Sequence, residues 1–155
     1  VKMIKKNFLI LLLIFTASCG YQSIYLDIEN SDFNIVQSEL IGDDIINKVI
    51  RERLLERKEK NIVEKNYSIK IISDSTKEIK SKDGKGKADL FKMIVEVKLI
   101  VESEETGENY EKVFLGDSTY RNSSNKFSLS EYEKIIKGNI ATRIVNSIKN
   151  YLNFL

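Results

Sequence analysis

Met93-Ile94-Val95-Glu96-Val97-Lys98-Leu99-Ile100-Val101-Glu102 alternates without a break for ten residues. Met93, Val95, Val97, Leu99 and Val101 share one parity; Ile94, Glu96, Lys98, Ile100 and Glu102 share the other. A period of two sends these sets to opposite faces of a strand. One face is wholly apolar and needs a covering layer. The other is mixed.

Working outward, Tyr67, Ile69 and Ile71 alternate with Ser68 and Lys70, which reads as a strand. Glu104-Glu105-Thr106-Gly107 is a hairpin-sized turn. The strand after it runs near Tyr110 to Arg121, with Val113 and Leu115 on one face and Tyr110, Phe114 and Tyr120 on the other. These connections are too short for crossover helices, so the three strands form an antiparallel meander. Phe33 to Leu40 is β-branched and aromatic and supplies a further strand.

Two helices complete the set. Gly42-Asp43-Asp44 opens the first, because acidic residues cap free N–H groups and suit the positive end of the helix dipole. Its apolar stripe is Ile41, Ile45, Ile46, Val49, Ile50 and Leu54. The mixed charges from Arg51 to Lys60 read as a solvated face. Ser128-Leu129-Ser130-Glu131 fits a capping box for the second helix, which runs to about Phe154. Tyr132, Ile136, Ile140, Ile144, Ile148 and Leu152 step by four, and Ile135, Val145 and Tyr151 widen the stripe.

Neither helix can bury its stripe alone. The economical fold is α+β, a two-layer sandwich with two helices packed on one face of a mostly antiparallel four-stranded sheet. It forms a single domain over residues 33–155. The Met93-to-Val101 stripe faces the helices. Ile94, Ile100 and Phe114 leave the open sheet face partly apolar, a candidate partner surface.

Composition narrows the function. The 155 residues are 42% apolar and 31% charged, a globular profile. With no His, the chain has no Ser-His-Asp or Cys-His machinery. One Cys and no His leave no Cys/His zinc site, and one Cys forbids an intrachain disulfide. No carboxylate pair stands out in a predicted pocket, so an acid/base hydrolase is the least supported class. The expectation is a binding protein: not an enzyme, without cofactor or metal. A net charge of +2 is too small to indicate a nucleic-acid partner.

The N-terminus reads as an address. Lys2, Lys5 and Lys6 precede an apolar run from Phe8 to Phe15, followed by small residues Thr16-Ala17-Ser18. This is a secretory signal, residues 1–18, expected to be removed. Its apolar run covers ~12 Å as helix, against a hydrocarbon core of ~30 Å. Cys19 follows directly, in the manner of a bacterial lipobox, although Thr16 stands where that pattern prefers Leu. Cys19 is therefore the expected lipid-attachment residue, and residues 19–32 a lipidated tether. Gly20, rather than Asp, after the Cys favours outer-membrane sorting by analogy. Without residues 1–18 the chain carries 22 basic and 23 acidic groups, so its basic character belongs to the signal.

Gly84-Lys85-Gly86-Lys87 lacks the spacing of a Walker loop and reads as the tip of a long hairpin. Lys80, Lys82, Lys85 and Lys87 gather there and are candidate donors to phosphates.

Cys19-Gly20-Tyr21-Gln22-Ser23-Ile24-Tyr25 resembles the opening of the LPS-assembly lipoprotein family (LptE), many members of which carry Pro where Ser23 stands. Ser118-Thr119-Tyr120, a polar stretch, Phe127 and a long terminal helix containing Ala141 are similar to the family's closing strand and helix. The resemblance implies an outer-membrane lipoprotein, lipid-anchored on the periplasmic face. It also implies that the domain plugs the large LPS-assembly β-barrel (LptD-like) and contacts lipopolysaccharide during export. The alternative is an adaptor or structural lipoprotein of another envelope transport complex.

Overall fold

In the computed structural model, residues 33–56 and 65–155 are described. The expected signal peptide, Cys19 and the tether lie outside them. The elements are β1 (Phe33–Gly42), α1 (Asp44–Ile50), a π-helical turn Arg51–Leu55 that prolongs α1, β2 (Lys65–Lys82), β3 (Ala88–Ser103), β4 (Asn109–Arg121) and α2 (Lys126–Phe154). The sheet order is β1-β2-β3-β4. β1 runs parallel to β2, and the other two pairings are antiparallel. The α+β sandwich is as the sequence indicates: both helices cover one sheet face.

The alternation on β3 positions everything else. Val95, Val97, Leu99 and Val101 are fully buried under the helices. Across the sheet they pair with Ser75, Ser73, Ile71 and Ile69 on β2, and with Gly116, Phe114, Lys112 and Tyr110 on β4. Ile136, Ile140, Ile144, Ile148 and Leu152 bring the α2 stripe down onto this surface. Each such burial contributes roughly 1.5–3 kcal/mol. From α1 and its extension, Ile46, Ile50 and Leu54 are fully buried.

One polar junction locks the layers together. Gly42, at φ +110°, lets the chain leave β1, and a Cβ there would lie 1.9 Å from the Ser73 carbonyl oxygen. Asp43 then caps α1, its Oδ1 accepting from the Ile45 and Ile46 N–H groups at 3.0 and 3.2 Å. Its Oδ2 accepts from Lys137 Nζ at 2.6 Å and from Ser75 Oγ at 3.0 Å. A single carboxylate therefore ties α1, β2 and α2. Beside it, Ser73 Oγ donates to Asn47 Oδ1 at 2.8 Å, satisfying two buried polar side chains.

Four expectations need correction. Phe114 is buried against Tyr151 of α2, not on the open face, because its register partner Val97 faces the helices. Ile41 belongs to β1, paired with Ile72 on the open face, because the Gly42 turn separates it from the helix. Tyr132 and Ile135 are 51% and 59% exposed, whereas Ile136 is 6% exposed: the stripe is shorter and narrower than a four-step count with flanks suggests. α2 begins three residues early. Asn125 Oδ1 accepts from Ser128 N at 3.1 Å, so Asn125 is the cap and Ser128 lies inside the helix.

Candidate functional site

The β2–β3 hairpin is longer than the alternation reveals. Beyond Ser73 β2 has no β1 partner and continues to Lys82 paired with β3 alone. At ~3.3 Å per residue its 18 residues span ~60 Å, against ~43 Å for the 29 residues of α2. The helix therefore cannot cover the whole strand.

Asp83 builds the tip. Its Oδ1 accepts from Lys85 N and Lys87 N, both at 2.9 Å, and its own N–H donates to the Lys87 carbonyl at 2.7 Å. Gly86 supplies the left-handed residue at φ +77°. Lys80 and Lys82 stand on β2, Lys80 at a register shift between Ile79 and Ser81; Lys85 and Lys87 stand in the turn. All four are exposed, and none has an ion-pair partner among the described residues. The structure thus gathers the four predicted lysines at one end of the sheet.

The same end carries apolar groups that the sequence reading did not assign to a site. Phe91 and Tyr120 pack at 5.7 Å between centroids, and Tyr132 meets Tyr120 edge-on at 6.2 Å. Ile79, paired with Phe91, is 55% exposed, and Phe127 in the first turn of α2 is 76% exposed. Ile79 sits alone in a polar stretch with no period around it, so no local signal marks it.

Glu133 holds this cluster. It accepts from Lys77 Nζ and, at 2.7 Å, from the Tyr120 hydroxyl. Lys77 Nζ also lies 4.0 Å from the Phe91 ring centroid, a cation–π contact. Burial raises the Glu133 carboxyl, but the hydrogen bonds from Lys77 and Tyr120 outweigh it and hold it below the usual range. Burial, then the Glu133 carboxylate, pushes the Tyr120 hydroxyl strongly up, so it stays a protonated donor. Lys77 is thus committed to the fold, unlike the four lysines beyond it.

The open sheet face has a different character. Ile41, Ile72, Val113 and Leu115 are exposed on it, among the cross-strand pairs Lys70–Glu39 at 2.9 Å and Lys98–Glu111 at 2.7 Å. A hollow of about 320 Å³ between Glu39, Lys70, Ile100 and Glu102 is shallow and polar. Among the described residues no three His, Cys, Asp or Glu could hold a metal ion, and no helix is long and apolar enough to cross a membrane.

No protein-family model matches the chain, and no curated protein matches it. Solved structures do. The rare lipoprotein B of Shewanella oneidensis superposes with a TM-score of 0.52 at 17% identity, over 74% of this chain and 95% of that one. A chain from Caulobacter crescentus CB15 described as a lipoprotein superposes with a TM-score of 0.52 at 12% identity, over 82% of this chain and 93% of that one. The fold is that of these bacterial lipoproteins.

Proposed function

We propose that this chain is a lipid-anchored envelope protein that works by binding rather than catalysis. Cys19 carries the lipid and places the domain on the periplasmic face of the outer membrane. There it plugs the LPS-assembly barrel and assists lipopolysaccharide transport to the cell surface.

The observation that carries the ligand half of this reading is the hairpin end. Four exposed lysines with no ion-pair partner among the described residues stand at the end of the sheet that also carries exposed Ile79 and Phe127. Ammonium groups bind phosphates as charged hydrogen-bond donors. Apolar side chains at the same end suit the acyl part of the same amphiphile. The lipoprotein fold and the lipobox-like Cys19 support the anchored half.

Replacing Lys80, Lys82, Lys85 and Lys87 together by Gln is expected to weaken lipopolysaccharide binding about tenfold at low salt. The gap should narrow at high salt, where exposed charges are screened. Equal binding by both proteins refutes the lysine site. Radiolabelled palmitate should enter the wild-type chain and not Cys19→Ala; label independent of Cys19 removes the anchor. The protein co-purifying from solubilised outer membranes decides between the barrel and another envelope complex.

A further inference from the structure

We propose that Asp83 is a positioning residue for phosphate binding: it sets the main chain that presents Lys85 and Lys87, and leaves their ammonium groups free. The proposal deepens the lipopolysaccharide reading and rests on it. Asp83 is the only carboxylate between Lys80 and Lys87. A carboxylate among lysines commonly neutralises one of them, as Glu133 does Lys77. Asp83 does not: among the described residues no lysine ammonium is ion-paired with it. Its Oδ1 accepts instead from the main-chain N–H groups of Lys85 and Lys87, both at 2.9 Å.

The turn depends on that oxygen. The ladder beneath it is irregular, with register shifts between Ile79 and Ser81 and between Ser81 and Lys82. A Cβ on Gly84 or Gly86 would meet nothing within 4 Å, so the turn stands clear of other atoms at both positions. The main chain closes the turn with Asp83 N donating to the Lys87 carbonyl at 2.7 Å and Gly86 N donating to the Asp83 carbonyl at 3.0 Å. Neither bond engages Lys85; the Asp83 side chain does.

The same bonds say how a phosphate is met. Main-chain N–H groups in a tight turn can cradle an anion. Here those of Lys85 and Lys87 are spent on Asp83, so the phosphate is left to the ammonium groups. Two lysines on a fixed turn lose less freedom on binding than two on a loose one.

Charge and positioning predict opposite signs. Asp83→Ala removes a negative charge beside the lysines, which by charge alone tightens anion binding. By positioning it weakens it. The test titrates the full-length protein, in non-ionic detergent at low salt, into fluorescently labelled lipopolysaccharide and follows anisotropy. Asp83→Ala should bind about threefold more weakly than wild type. Asp83→Asn keeps the oxygen acceptor and sheds the charge, so it should bind at least as tightly as wild type. It is assayed fresh at mildly acidic pH, because an Asn-Gly pair deamidates. Amide hydrogen exchange supplies a readout without ligand: the Lys85 and Lys87 N–H groups should be protected in wild type and Asp83→Asn, and not in Asp83→Ala. Asp83→Ala binding as tightly as wild type, or Asp83→Asn as weakly as Asp83→Ala, overturns the positioning role and leaves the lysine site standing. Wild type binding no better than the protein with all four lysines replaced by Gln overturns both.

Discussion

Removing the Asp43 carboxylate tests the packing argument most directly, because that group joins three elements. Its side chain and that of Lys137 are each 17% exposed. Asp43→Ala deletes an N-cap, worth ~1 kcal/mol. It also deletes a charge-assisted hydrogen bond, worth ~1.5–3 kcal/mol, and leaves Lys137 without its acceptor. The expected loss is therefore ~3 kcal/mol. Asp43→Asn keeps the cap, since Asn caps as well as Asp, and should lose only ~2 kcal/mol. The assay is urea unfolding followed by far-ultraviolet circular dichroism, with Lys137→Met completing a double-mutant cycle. A coupling energy of at least ~1 kcal/mol is expected for this contacting pair. Coupling near zero, or equal losses for Asp43→Ala and Asp43→Asn, would refute the assignment of the two roles to one carboxylate. The pH dependence has a fixed sign. Burial raises the Asp43 carboxyl, but Lys137, the Ile46 N–H and Ser75 outweigh it, so the folded value lies below the unfolded one. Its contribution is complete above the unfolded value of about 3.9 and is lost as pH falls through the folded value. Asp43→Asn should flatten that acid limb.

Two further substitutions test the geometry. Gly42→Ala combines a left-handed backbone with a Cβ 1.9 Å from the Ser73 oxygen, and should cost at least ~2 kcal/mol in urea unfolding. Ile136→Ala should cost ~2–4 kcal/mol and Ile135→Ala within ~0.5, since the neighbours are 6% and 59% exposed; equal losses would mean the helix face is misassigned.

The candidate site was legible in part. Lys80, Lys82, Lys85 and Lys87 are visible as a basic run around a Gly-rich turn. Their freedom from acidic partners among the described residues is not, because Lys77, from the same run, is tied to Glu133 from 56 residues away. The aromatic group Phe91, Tyr120 and Tyr132 comes from three elements and has no local signature. The distal half of β2, from Asp74 to Lys82, is polar, so no alternation announces it. It is a strand because β3 supplies its partners.

What the sequence determined by itself is local. Period-two alternation fixed the buried face of β3, four-step spacing fixed the buried face of α2, and Asp43 after Gly42 marked the start of α1. These follow from bond geometry within one segment, whatever lies beyond it. Only the tertiary structure decided the pairing: that β1 lies parallel beside β2, that Phe114 faces α2, and that α2 starts at its Asn125 cap rather than at Ser128. Each is a choice between locally similar alternatives. Contacts with distant residues settle it, and no short window of sequence contains them.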